Sequence, residues 1–302
     1  MSYRLERTEA LAPGLKRIAV EQIDDALAQL REPGDDLDEA IHEARKCFKK
    51  VRAVVRLVRD ELGHTIYKRE NVCFRDAGRA LSDLRDSYVM VATVDDLQET
   101  YADQLDDEAF TAIRQPLVEK HQEVRQQVIE SETLDDVITT ISAARQRVQD
   151  LPIDDDDYEA IRPSIKRVYR RGYKGRRRAY DEPSAEKFHE WRKRVKYLWY
   201  HTRILNPLWP DLLDPLAEEI HDLSDYLGDD HDLAELREVV RELPATGDRQ
   251  DERQVLLGLI EQRRREFQEL ARPLAARLYA ESPSRFVDRL GSYWQAHQIE
   301  IA

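Results

Sequence analysis

Apolar residues recur at intervals of three and four along most of the chain, the spacing that gathers them on one face of an α-helix. Leu15, Ala19, Ile23, Ala26, Leu27 and Leu30 form one such stripe, and Ala44, Phe48, Val51, Val55, Val58 and Leu62 another. Gly and Pro fall mainly between the periodic segments, at Pro33-Gly34, Gly63, Pro152, Pro183, Pro207, Pro210, Gly247 and Pro283. The pattern predicts helices over residues 3–30, 36–62, 66–97, 104–130, 133–150, 158–180, 184–205, 211–228, 230–243, 249–280 and 284–298.

Composition agrees with an all-α fold. The 302 residues include only 12 Pro and 10 Gly, too little turn material for a sandwich or barrel of many short strands. Apolar residues make up 41%, enough for a core, and charged residues 36%, above the roughly 25% of an average domain. No apolar run approaches the roughly 18 residues of a membrane span, so no membrane partner is expected. The first residues lack the apolar stretch of a secretory leader. Cys47 and Cys73 are too few for a disulfide framework or a four-thiolate metal site. The expected location is cytoplasmic, with no metal and no cofactor.

The chain repeats itself. Ile41-His42-Glu43-Ala44-Arg45-Lys46-Cys47-Phe48-Lys49 matches Phe188-His189-Glu190-Trp191-Arg192-Lys193-Arg194-Val195-Lys196 at an offset of 147, and Arg56 matches Arg203 at the same offset. Upstream, the segment from Pro13 through Lys16 to Ile18 matches that from Pro163 through Lys166 to Val168. Downstream, Leu81–Asp86, ending Arg85-Asp86, resembles Leu227–Asp232, ending His231-Asp232. The expected architecture is a single domain over 1–302, made of two pseudo-symmetric bundles of four to five helices, 1–152 and 153–302. A basic groove would lie between them, with the matching residues converging on an approximate two-fold axis.

The net charge of −13 argues against a polyanion partner until its distribution is read. Segments 42–59, 161–180 and 187–203 hold 22 of the 48 basic residues and two acids; the remainder carries 26 basic residues against 59 acidic. Such segregation builds a local positive potential inside an acidic envelope. At 100° per residue, Arg45, Lys46, Lys49 and Arg56 share a face with His42, and Arg192, Lys193, Lys196 and Arg203 share one with His189. Like charges at (i, i+4) repel by a few tenths of a kcal/mol each, which a bound anion would offset. Lys166, Arg170, Tyr173, Arg177 and Tyr180 form a third strip, expected to line the same groove unless Gly172 and Gly175 break that helix.

His-Glu-x-Arg-Lys-x-x-Lys occurring twice, each copy followed by Leu-x-x-x-Arg/His-Asp, resembles the CHAD family (conserved histidine α-helical domain) over nearly the whole chain. The resemblance implies an all-helical domain of two pseudo-symmetric bundles. It also implies binding of inorganic polyphosphate through basic residues and histidines in a central groove, and in some members association with polyphosphate granules. Carried over by motif, the binding residues are His42, Arg45, Lys46 and Lys49 with His189, Arg192, Lys193 and Lys196. The strips and the upstream match add Lys16, Arg56, Lys166, Arg170, Arg177 and Arg203. Arg85, Asp86, His231 and Asp232 are expected to orient or neutralise neighbouring side chains from behind. Many relatives carry a fused triphosphatase domain with a Glu-x-Glu-x-Lys signature. The nearest match here, Glu130-Ser131-Glu132-Thr133-Leu134, lacks the Lys, so that activity is not expected.

A phosphate chain offers only oxygen acceptors, which suits the planar donors of Arg and the mobile charge of Lys. No nucleophile–base pair and no Gly-rich phosphate cradle is visible, so a binding protein rather than an enzyme is expected. The alternatives are a metal-dependent phosphohydrolase built from His189, His221-Asp222, His231-Asp232 and Asp288, a phosphorelay module, or an RNA-binding protein stacking bases on Tyr173, Tyr180 and Tyr200. The charge state of His42 and His189 is open at this level, because phosphate and the surrounding cations push it in opposite directions.

Overall fold

The computed structural model describes residues 3–104, 107–242 and 249–301, and among them it is all-α, with no strand. The expected boundary at Gly247 lies outside the described residues. Helices α1 (Leu11–Arg31), α2 (Leu37–Leu57), α3 (Arg59–Ala80) and α6 (Thr133–Gln149) close into a ring in which each packs on two others. Helix α7 (Arg162–Asp181) packs on α8 (Ala185–Ile204), α8 on α9 (Pro210–Glu242), α9 on α10 (Arg249–Leu278), and α11 (Pro283–Ile301) covers α7. Helices α4 (Ser82–Tyr101) and α5 (Asp107–Glu130) pair with each other, and α4 leans on α9.

The hydrophobic interior does not divide at residue 152. One large cluster runs from Leu15, Ile18 and Phe48 through Trp191 and Leu198 to Phe286 and Leu290. A second, smaller cluster joins Val94 and Leu97 of α4 and Phe110 of α5 to Leu236 of α9 and Leu256 of α10. Residues from both ends of the chain therefore bury each other, and the region before α1 takes part. That region is irregular rather than helical, with a turn between Glu6 and Glu9, the Leu5 N–H donating to the Ile204 carbonyl at 3.1 Å and the Tyr3 hydroxyl to the Lys50 carbonyl at 2.9 Å.

Several helix boundaries differ from the pattern's expectation; α1 starts at Leu11 rather than at residue 3. The segment expected as one helix over 66–97 is two, α3 and α4, meeting at Leu81. Helix α3 starts early, at Arg59, and bends at Gly63, whose φ of +67° is a conformation that glycine adopts without a Cβ penalty. Gly228, expected to end a helix, lies inside the continuous α9. Gly172 and Gly175 do not break α7. A Cβ at Gly172 would lie 2.2 Å from the Tyr279 hydroxyl, and one at Gly175 would lie 3.0 Å from the Trp191 ring. The small residues let α7 approach its neighbours closely, which outweighs the helix cost of glycine, roughly 1 kcal/mol each.

Candidate functional site

Helices α2 and α8 carry the two basic strips and pack against each other. Each starts at a side-chain cap: Asp36 accepts from the Glu39 N–H at 3.0 Å, and Ser184 from the Lys187 N–H at 3.3 Å. Each then buries its apolar side, Phe48, Val51 and Val55 on one, Phe188, Trp191 and Val195 on the other. His201 fixes the pair. Its buried ring lies with Nε2 3.0 Å from the Ala53 carbonyl, which can only accept, so Nε2 carries the proton. Burial pulls His201 down to about 4, so it is neutral at pH 7.

This packing brings the two strips together. Lys49 of α2 keeps contact with solvent. Nevertheless loss of solvation, and then the charges of Arg45, Arg192, Lys196 and Arg85, pull its ammonium down to about 7. Arg192 and Lys196 belong to α8. Lys196 is drawn down to about 8, by burial first, with Arg192, Lys46 and Arg203 adding to it and Asp225 opposing. Lys49 and Lys196 thus feel each other's strips across the helix contact.

Individual side chains are held in place from behind. Arg45 donates to the Gly78 carbonyl and lies 3.8 Å from Asp86. Lys46 pairs with Glu43, and Lys193 with Glu190, each three residues back. Arg192 lies along α9, where a Cβ at Gly228 would sit 3.3 Å from its Nε and Nη2; the glycine gives the guanidinium its bed. Lys196 sits 4.4 Å above the Trp199 ring, and Arg203 5.1 Å from it. The Nε atoms of Arg45 and Arg192 and Nδ1 of His189 are buried with no hydrogen-bond partner.

The histidines are neutral. Burial, followed by Arg85 and Lys46, lowers His42 to about 4. Burial, followed by Lys193 and Arg192, lowers His189 to about 4. His231 stacks on His189 with ring centroids 4.0 Å apart and is lowered to about 3, by burial first and then by its ring partner and Arg192. Asp232 is raised by burial, with Arg192 and Arg85 opposing. Arg85 acts directly on His42 and Lys49 and so belongs among the groove cations. At one side a cleft of about 470 Å³ between α4 and α9 is lined by Asp96, Glu99, Asp229 and Asp232 together with Arg85 and Arg263.

Not every expected residue joins this group. Arg56 turns instead to the Tyr197 ring at 4.2 Å, its Nη2 3.4 Å from the Tyr197 hydroxyl and 3.4 Å from Asn71 Oδ1. Lys16, Lys166, Arg170 and Arg177 are not among the leading charges on Lys49 or Lys196, and Arg170 and Arg177 are exposed. The aromatic end of the α7 strip is structural: Tyr180 packs on Phe188 and Trp191 and donates to the Gln268 carbonyl at 2.7 Å. Lys50 was not expected in the site, yet Arg203 acts on it at the same end.

The set His189, His221-Asp222, His231-Asp232 and Asp288 does not assemble as a metal centre. His221 pairs with Asp225 at 2.9 Å and packs on Trp199, while Asp288 accepts from Arg162 at 2.6 Å. Among the described residues no group of three or more His, Cys, Asp or Glu side chains is placed to hold a metal ion.

The model of the CHAD domain family matches residues 17–241. The chain belongs to the CHAD family. The crystal structure of the CHAD domain from the plant Ricinus communis has the same fold, with a TM-score of 0.60 at 18% identity over 98% of this chain and 95% of that one. A search of curated proteins returns no match. The CHAD motif residues His42, Arg45, Lys46, Lys49, His189, Arg192, Lys193 and Lys196 all lie on the two packed helices α2 and α8. No helix among the described residues is long and apolar enough to cross a membrane.

Proposed function

We propose that this CHAD domain binds inorganic polyphosphate in the groove between α2 and α8, as a binding protein rather than an enzyme. The observation that carries this reading is the packing of α2 on α8, which sets Arg45, Arg85, Arg192 and Lys196 around Lys49, whose ammonium is lowered by loss of solvation first and by those four charges next. A protein gathers like charges in this way at a cost, and a linear polyanion removes that cost by supplying an acceptor to each cation. Arg45, Arg85, Arg192, Lys46, Lys49 and Lys196 grip the phosphoryl oxygens. His42 and His189, neutral at pH 7, each donate one N–H. The duplicated motif gives both walls the same His-Arg-Lys-Lys set, which fits a ligand that repeats along its length. In a cell this would direct the protein to polyphosphate granules in the cytoplasm.

RNA is the weaker reading. Tyr200 is buried against Tyr3 and Trp199, and Tyr180 against Phe188 and Trp191, so neither offers a free face to a base.

The test is a gel-shift titration with long-chain polyphosphate at 50 and 200 mM salt, with RNA as competitor. About six neutralised phosphates lower the affinity by roughly two to three orders of magnitude between the two salts. Polyphosphate displaces RNA while RNA fails to displace polyphosphate. Salt-independent binding, or equal competition by RNA, contradicts the proposal.

A further inference from the structure

A second set of cations lies outside the groove. Arg56 of α2, Arg59 of α3, Arg167 and Arg171 of α7 and Arg194 of α8 line a small cleft closed by Tyr197, Ser164 and Val168. Arg56 sits two turns beyond Lys49 along α2, about 10 Å. Arg194 is about 140° round α8 from His189, so the cleft looks out from a different face of that helix.

Five guanidinium groups meet there with few acceptors. Asp60 pairs with Arg167 at 2.9 Å, and Glu190 reaches Arg194 at 3.1 Å. The Asn71 amide oxygen accepts from both Arg52 and Arg56, at 3.3 and 3.4 Å, and the Tyr197 hydroxyl accepts from Arg56 at 3.4 Å, which are long contacts. Arg56 Nε is buried without a partner. Arg194 and Arg171 act on each other, and Arg56 acts on Arg194. Even the Tyr197 phenol responds, held below its ordinary range by Arg52, Arg56 and Arg194 although burial raises it. Charges so placed repel unless an anion sits among them.

We propose that this cleft is a binding site for a single phosphoryl group, separate from the groove. The free space between the side chains, about 10 Å³, holds roughly one water-sized group, so no chain runs through the cleft and a phosphoryl group would sit at its mouth, beside the exposed Arg171. Planar guanidinium donors from four helices around one small cleft match a tetrahedral oxyanion with two charges. The phosphoryl group can be free orthophosphate or the end unit of a longer chain. The inference does not rest on the polyphosphate reading of the groove, since the two sites share no residue.

Phosphorus NMR on the full chain tests it, using inorganic phosphate and, separately, polyphosphate whose end-group signal is resolved. Three proteins are compared: wild type, Arg171→Glu, and the groove variant Arg45/Lys49/Arg192/Lys196→Ala. Arg171 is exposed, so its replacement leaves the core intact. An Arg194→Lys variant, which keeps the charge and loses the planar fork, serves as the milder control. Orthophosphate bound by wild type and by the groove variant, and weakened at least tenfold by Arg171→Glu, establishes the site with free phosphate as its ligand. An end-group shift lost in Arg171→Glu, with no orthophosphate binding, establishes it with the chain terminus as ligand. Absence of both signals in wild type, or binding unchanged in Arg171→Glu and Arg194→Lys, overturns it.

Discussion

The imidazole rings of His189 on α8 and His231 on α9 lie 4.0 Å apart, tilted by 37°. Two rings so close cannot both be protonated cheaply, and Arg192 and Lys193 stand beside them. The His-Glu motif thus carries a neutral imidazole, and the positive charge around it comes from Arg and Lys. In the other motif His231 lies against the His189 ring, and Asp232 feels the charges of Arg192 and Arg85.

It follows that His189 and His231 titrate below about 5 in ligand-free protein, as read by proton NMR of the imidazole signals. His42 and His201 do the same. All four are lowered from the unfolded value near 6.5. The unfolded chain therefore binds more protons between pH 6.5 and 4, and stability falls as pH falls through that window. Midpoints near 6.5 would contradict the buried, crowded setting.

The two lysines give the opposite end of the pH scale. With Lys49 near 7 and Lys196 near 8, the free groove sheds charge as pH rises from 6.5 to 9. A bound polyanion favours both protonated forms, so affinity falls across this range and binding takes up protons. Calorimetry in buffers of different ionisation enthalpy measures the uptake. A pH-independent affinity between 6.5 and 9, after correction for the ligand's own titration, would show that neither lysine is perturbed.

Lys49→Met separates binding from folding. The substitution removes a cation that its neighbours repel and keeps the apolar stem. Polyphosphate affinity drops by about tenfold or more, while the ligand-free Tm rises by about 1–3 °C. A lower Tm would mean that Lys49 is stabilised by a partner and not strained by its neighbours.

Gly228→Ala probes the bed of Arg192. The new methyl meets the guanidinium at 3.3 Å, and the flexible side chain yields rather than the helix. Helix propensity offsets the disturbance by up to about 1 kcal/mol, so Tm holds or rises. The displaced Arg192 costs several-fold in polyphosphate affinity. Unchanged affinity would show that the position of Arg192 is immaterial.

Much of this arrangement is legible in the sequence, for a physical reason. Helical periodicity marks the buried side of α2 and α8 and, by subtraction, the strips on their other sides. Position along one helix is local information, so His42, Arg45, Lys46 and Lys49 could be grouped without a structure. What depends on packing between helices could not. Nothing at Leu81 signals the end of α3, because no Gly or Pro stands there. Gly228 reads as a terminator until Arg192 is seen lying against it. Tyr180 belongs to the basic stripe of α7 by spacing but is claimed by Phe188, Trp191 and Gln268. The arginine cleft draws five residues from four helices, two of them from α7, each off the strip of its own helix or at its end, and no periodicity connects the four helices.

The central claim is that one polyanion spans both walls, and two half-groove variants test it most directly. Arg45/Lys49→Ala strips α2, and Arg192/Lys196→Ala strips α8; helicity by circular dichroism checks that each folds. Isothermal titration with polyphosphate of defined length then gives affinity and stoichiometry. A shared groove predicts that either variant alone loses at least about tenfold in affinity with unchanged stoichiometry, and that the combined variant retains no measurable binding. Wild-type affinity in either half-groove variant, or half the stoichiometry at full affinity, would mean that α2 and α8 bind independently and that no common groove exists.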